Sequence, residues 1–139
     1  MNIGEAARLS GLSAKMIRHY EQIKLLKPAA RTDAGYRQFA DQDIEVLKFI
    51  RQARVLGFSI AQIDELLSLW QNPTRSSRAV KHVAQQHLTA VEHKLSELAG
   101  MQTSLQNMIS ACSGDEHAHC AILEQLATPP TTSPPKSVR

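Results

Sequence analysis

The residues of sharpest chemical character in this chain are its two cysteines, Cys112 and Cys120, which bracket the segment C-S-G-D-E-H-A-H-C. Two thiolates with nothing else clearly suited to complete a tetrahedron favour a soft, low-coordinate metal ion over zinc, which generally takes four ligands. A linear site needs one sulfur on each side of the ion, and the seven residues between the cysteines leave the loop free to fold back and present them so. Cu(I), Ag(I) and Au(I) are monovalent d10 ions that accept two ligands in line, one ion per loop. Other readings stay open at this point. His117 and His119 lie in the same loop, and with Cys112 and Cys120 they make a nominal zinc-ligand set for a divalent-metal sensor. The two thiols could also close to a disulfide and sense oxidants with no metal present. An iron–sulfur centre normally needs four cysteines. Two cysteines at such a spacing also occur by chance, so spacing alone does not decide. His82, His87 and His93 are assigned no metal role.

The loop must be held by what surrounds it. Residues 74–110 contain no proline and one glycine, Gly100. Within them Val80, Val83, His87, Val91, Leu95, Leu98, Met101, Leu105 and Met108 recur at a mean step of about 3.5 residues, the coiled-coil period. A helix of roughly 35 residues is about 50 Å long. Such a stripe exceeds what a small domain can cover, so a partner helix from a second chain is expected. After Cys120, Ala121–Leu126 reads as a short amphipathic helix. Loop closure on an ion would dock that helix through Ile122 and Leu123. Thr128 to Arg139 holds four prolines among small polar residues and reads as a disordered tail.

The other end of the chain has a different pattern. Asn2 can cap a helix over 2–9, with Ile3, Ala6, Ala7 and Leu9 on one face. Gly11 suits a tight turn, and Ser13 can cap a second helix to about Glu21 carrying Met16, Ile17 and Tyr20. This is a helix-turn-helix pattern. Pro28 ends the helical character. Segments 30–31 and 36–39 then flank Thr32-Asp33-Ala34-Gly35 as a small β-hairpin, a wing. Asp41 is expected to cap a third helix ending at Gly57, and Ser59 a fourth through Trp70, stopped by Asn72-Pro73.

Lys15, Arg18 and His19 fall on the polar face of the second helix, with Ser13 at its start and Tyr20 beyond. They can reach base edges or phosphates in a major groove. Arg31, Tyr36 and Arg37 sit on the wing, and Arg54, with Arg51, on the next helix, within reach of the DNA backbone. The plainer alternative makes both tyrosines core residues and the arginines solvated. Residues 1–56 hold ten Lys/Arg against six Asp/Glu, a net of +4, while residues 57–139 hold six against seven, a net of −1. The excess positive charge is confined to the N-terminal part, as a polyanion-binding half would require. With 139 residues, 4% aromatic and 42% hydrophobic, the chain suits a mainly α fold. No apolar run approaches the roughly 20 residues of a membrane span, and no signal-peptide core is evident at the N-terminus, so a cytoplasmic location without membrane contact is expected. No nucleophile–base constellation or glycine-rich phosphate loop is present, so an enzyme is not expected.

I-G-E-A-A-R-L-S-G-L-S-A-K-M-I-R-H-Y-E, L-L-K-P-A-A-R-T-D-A-G-Y-R-Q-F and L-G-F-S-I-A-Q-I-D-E-L-L-S-L-W together resemble the N-terminal half of MerR-family transcriptional regulators. The likeness runs from Met1 to about Leu126 and is nearest to the copper-sensing branch. It implies a mainly α homodimer: an N-terminal winged helix-turn-helix with connector helices over 1–71, an antiparallel coiled-coil dimerisation helix over 74–110, a metal loop and short helix over 111–127, and a tail over 128–139. It also implies an operator whose promoter elements are too far apart, which activated regulators bend and untwist so that RNA polymerase holoenzyme engages. Target genes for copper, silver or gold resistance would follow. In the divalent-metal branch a cysteine occupies the position of Ser77; a serine there withholds a third thiolate and disfavours zinc, mercury and lead. The histidines at 117 and 119, and Ser113 where proline is common, depart from the copper-branch loop.

Overall fold

A computed structural model describes residues 1–128 and contains six helices and one two-stranded hairpin among them. The tail expected over 128–139 lies outside the described residues beyond Thr128. In chain order the elements are α1 (Ile3–Ser10), α2 (Ala14–Gln22), β1 (Ala30–Arg31), β2 (Arg37–Gln38), α3 (Asp41–Val55), α4 (Ile60–Trp70), α5 (Ser77–Ala111) and α6 (Ala121–Ala127). The described chain divides into two compact units, Met1–Gln85 and a second from Gln86 onward, with the boundary inside α5.

The helix starts follow from side chains that satisfy orphan backbone amides. Asn2 Oδ1 accepts from Glu5 N at 2.9 Å, Ser13 Oγ from Met16 N at 3.1 Å and Ser59 Oγ from Gln62 N at 3.1 Å. Gln62 returns the favour to Ser59 N at 2.9 Å, closing a capping box. One expected cap is shifted by one residue. Asp41 is the first residue of α3 and Ala40 holds the cap position; having no side-chain acceptor, Ala40 instead donates its N–H to Asp43 Oδ2 at 2.9 Å. At α5 the cap hydrogen bond is made by Ser76, whose Oγ accepts from Ala79 N at 3.2 Å, so Ser77 is helical.

Gly11 ends α1 with φ 79°, and its N–H donates to Ala7 O. Arg51 of α3 lies over it so closely that a Cβ there would come within 3.0 Å of Nε. The glycine therefore serves both the left-handed turn and the packing of α3 on it. The core of the first unit is built from Ala6 of α1, Ile17 and Tyr20 of α2, Leu26 and Phe39 of the connecting segments, Leu47 and Ile50 of α3, and Ile63 and Leu67 of α4, all buried. Phe49 and Trp70 stack with centroids 4.6 Å apart at 12°, joining α3 to α4. The wing pairs antiparallel in the register Ala30 with Gln38 and Arg31 with Arg37. Gly35 N donates to Thr32 O and Thr32 N to Tyr36 O, both at 2.8 Å.

In the second unit the helical stripe faces outward. Leu95, Leu98, Met101 and Leu105 are 53–61% exposed, and Leu123 and Leu126 of α6 are exposed as well. Among the described residues no helix is long and apolar enough to cross a membrane.

Candidate metal centre and nucleic-acid interface

Cys112 directly follows α5, its N–H donating to Met108 O at 3.2 Å, and Cys120 occupies the cap position of α6. The irregular loop between them, with Gly114 at φ 68°, brings the two Sγ atoms to 3.6 Å. Both thiols are free and partly exposed. The Leu123 amide in the first turn of α6 lowers the Cys120 pKa below the ordinary thiol value, and the Cys112 thiol and the Ile122 amide add to this. Burial and the nearby Glu124 carboxylate oppose them. The Leu123 approach is electrostatic, because it is too loose to form a cap hydrogen bond.

The loop histidines are turned onto carboxylates. His117 Nδ1 lies 3.1 Å from Asp115 Oδ1, and His119 Nδ1 3.1 Å from Glu124 Oε1. Asp115 is further held by the His117 N–H at 2.8 Å and the Ser113 hydroxyl at 3.0 Å, and these bonds lower its pKa. Among the described residues no group of three or more His, Cys, Asp or Glu is gathered as a metal site. The donors that the loop brings together are the two thiols, at 3.6 Å. A linear sulfur–metal–sulfur link spans about 4.6 Å, twice a metal–thiolate bond of about 2.3 Å, so the sulfurs would part by about 1 Å to take an ion in line. A tetrahedral centre asks for a sulfur separation of only about 3.8 Å but also for two more donors. A tetrahedral centre would therefore need donors beyond the two thiols, whereas an in-line ion would need only that parting of the sulfurs. Two thiols at this separation would suit a soft ion that takes two donors.

At the other end, α2 turns Ile17 and Tyr20 inward and leaves Lys15, Arg18 and His19 exposed on its opposite side, with Ser13 exposed at its cap. Tyr20 is only 2% exposed, so its ring belongs to the core. Tyr36 at the wing is 72% exposed. Arg31 is exposed but donates to Gly35 O at 2.9 Å, bracing the hairpin turn. Arg54 is exposed and donates to Phe58 O at 3.2 Å. Arg37 has a partner within the chain: its Nε lies 2.7 Å from Glu21 Oε1, an ion pair tying the wing to α2. The pair is poorly aligned as a hydrogen bond and acts by charge. Glu21 Oε2 also accepts from Ala29 N at 2.8 Å. Glu21 therefore sets where the wing sits, a role the sequence reading missed; its only signal was an acid in an otherwise basic surface.

Two family models match the chain, the MerR HTH family regulatory protein over residues 1–70 and the MerR DNA-binding model over residues 44–108. This chain is a member of the MerR family. Its relatives are transcriptional regulators, and it is a regulator rather than an enzyme. It is 47% identical over 127 residues to heavy metal-dependent transcription regulator 2 of Rhizobium meliloti (strain 1021), a match covering 91% of this chain and 86% of that protein. It is 41% identical over 127 residues to the HTH-type transcriptional regulator CueR of Yersinia pestis, covering 91% of each. The fold matches the crystal structure of the transcription regulator PbrR691 from Ralstonia metallidurans CH34 in complex with lead(II), with a TM-score of 0.81 at 28% identity, covering 91% of this chain and 99% of that one. The mainly helical architecture with its small hairpin is therefore that of the family.

Proposed function

We propose that this MerR-family chain is a metal-responsive activator that binds promoter DNA as a homodimer and responds to a monovalent soft ion, Cu(I), Ag(I) or Au(I), held by Cys112 and Cys120. The observation that carries the reading is the pair of free thiols 3.6 Å apart while both loop imidazoles are turned onto carboxylates. The heavy-metal dependence for which the Rhizobium relative is named and the likeness to CueR support it. Ser77 supports it too: Ser76 makes the α5 cap, so Ser77 is not required there, and its hydroxyl offers no third thiolate.

In this reading residues 1–71 grip DNA, 74–110 dimerise and 111–127 sense. Lys15 and Arg18 face the major groove, and Tyr36 sits beside the backbone, on a wing that Glu21 and Arg37 hold in position. The exposed apolar stripe of α5 requires a second helix, which a twofold partner chain supplies. A bound ion would supply one fixed link between two sulfurs. Cys112 adjoins α5 and Cys120 starts α6, so the sulfur separation governs where α6 leaves the loop, and half-buried Ile122 with exposed Leu123 gives α6 an apolar face to dock. That docking selects between two shapes of an overlong promoter spacer, one of which RNA polymerase holoenzyme can use in the cytoplasm.

The test is transcription in vitro from an operator with a long spacer, with Cu(I), Ag(I), Au(I) or Zn(II) added, alongside X-ray absorption of the loaded protein. The reading expects activation by monovalent ions alone and a two-sulfur shell. Activation by Zn(II) with nitrogen donors in a four-coordinate shell would replace it with the divalent sensor.

A further inference from the structure

We infer that Cys112 and Cys120 are also a reversible oxidation site: a hydroperoxide converts them to an intramolecular disulfide that withholds both sulfurs from the metal. The inference rests on the metal-loop reading for its consequence, but its chemistry stands on the geometry alone. The two Sγ atoms are already in contact at 3.6 Å, and a disulfide needs about 2.05 Å, so closure asks the sulfurs to approach by about 1.5 Å. Nothing regular resists that approach. Residues 112–120 form neither helix nor strand, and Gly114 at φ 68° gives the loop a further soft joint. Both cysteines are partly exposed, so a small oxidant can reach either sulfur. The loop polar groups are engaged elsewhere: Ser113 with Asp115, His117 with Asp115, and His119 with Glu124, so none of these contacts must break for the sulfurs to meet.

The chemistry balances with one equivalent of hydroperoxide. One thiolate attacks a peroxide oxygen; the sulfur–oxygen bond forms as the oxygen–oxygen bond breaks, and hydroxide or alkoxide leaves. The second cysteine, as its thiolate, attacks the resulting sulfenic sulfur; the sulfur–sulfur bond forms and the oxygen departs as water. Two electrons pass from the sulfur pair to the peroxide, and the two thiol protons end on the two leaving oxygens. A dithiol reductant reverses the step by exchange through a mixed disulfide. Metal occupancy and disulfide are mutually exclusive, because each uses the same two sulfurs. The loop therefore reports its ion only while reduced, and a loaded loop resists oxidation.

The experiment uses the reduced protein. It is treated with about one equivalent of hydrogen peroxide, then analysed by free-thiol count, intact mass and Ag(I) uptake. The expected product is a single chain about 2 Da lighter, with no free thiol, whose Ag(I) uptake falls more than about tenfold and returns after dithiothreitol. Protein loaded with Ag(I) beforehand is expected to keep both thiols. Cys112→Ser is expected to give no such mass loss. Disulfide-linked chains on a non-reducing gel, a stable sulfinic acid without a cross-link, or Ag(I) uptake that survives oxidation would each overturn the inference. Failure of the reduced protein to take up Ag(I), with the disulfide still forming, would sink the metal reading instead and leave the oxidation site standing.

Discussion

Replacing Glu21 separates two accounts of Arg37. If Arg37 serves DNA directly, removing its acidic neighbour frees a cation and leaves DNA binding intact or stronger. If the pair positions the wing, removing either partner weakens both the fold and the grip. The Glu21 side chain is 10% exposed and that of Arg37 28%, so the pair lies between an exposed ion pair, worth up to about 1 kcal/mol, and a buried one, whose disruption costs about 3–5 kcal/mol. Glu21→Ala also orphans the Ala29 amide, which now donates to Oε2 at 2.8 Å. We expect Glu21→Ala to cost about 2 kcal/mol, lowering a urea midpoint by roughly 1 M at a slope of about 2 kcal/mol per molar. Arg37→Ala should cost about 1 kcal/mol, since Glu21 keeps the Ala29 bond, and the double variant should show a coupling of about 1 kcal/mol. Fluorescence anisotropy with operator DNA at several salt concentrations supplies the second readout. Glu21→Ala is expected to weaken binding with little change in salt slope, because no phosphate contact is lost. Stability losses that simply add, with Glu21→Ala binding DNA as well as or better than wild type, would refute the positional account.

Three further outcomes are expected. Gly11→Ala places a Cβ at a residue with φ 79° and within 3.0 Å of Arg51 Nε, so it should cost about 1–2 kcal/mol in denaturant unfolding, and a neutral result would contradict the turn geometry. Leu98→Lys puts a charge into the exposed α5 stripe, where Leu98 is 58% exposed, and light scattering should find a monomer; an unchanged dimer would mean the stripe is not the interface. The lowered Cys120 pKa means its thiolate persists as pH falls below the ordinary thiol range, and whatever stability that thiolate contributes is kept above the unfolded pKa and lost as pH falls through the folded one. Iodoacetamide alkylation of Cys120, followed by peptide mass spectrometry, should therefore have its midpoint below the ordinary thiol value, and Cys112→Ala should raise it toward, but not to, that value because the Leu123 amide remains. A midpoint that does not move would remove Cys112 from the causes.

Much of this protein is local and could be read without a fold. Asn2, Ser13 and Ser59 cap helices because a short oxygen-bearing side chain reaches an amide three residues on, and both partners lie in the same stretch of chain. The same locality made the α5 stripe and the thiol spacing legible. Where the local signal was nearly degenerate it slipped by one residue, as at Ala40 against Asp41. What the tertiary structure alone decided involves groups that meet through folding. Arg37 and Glu21 are sixteen positions apart, and only the turn of the wing onto α2 makes them a pair. Tyr20 directly follows the exposed Arg18 and His19 in sequence, yet one step around a helix is 100°, and that step carries it into the core. The sulfur contact at 3.6 Å and the histidines turned onto Asp115 and Glu124 depend on how one irregular loop closes. Residue types alone left four donors available there; the folded loop brings two of them together and turns the other two onto carboxylates.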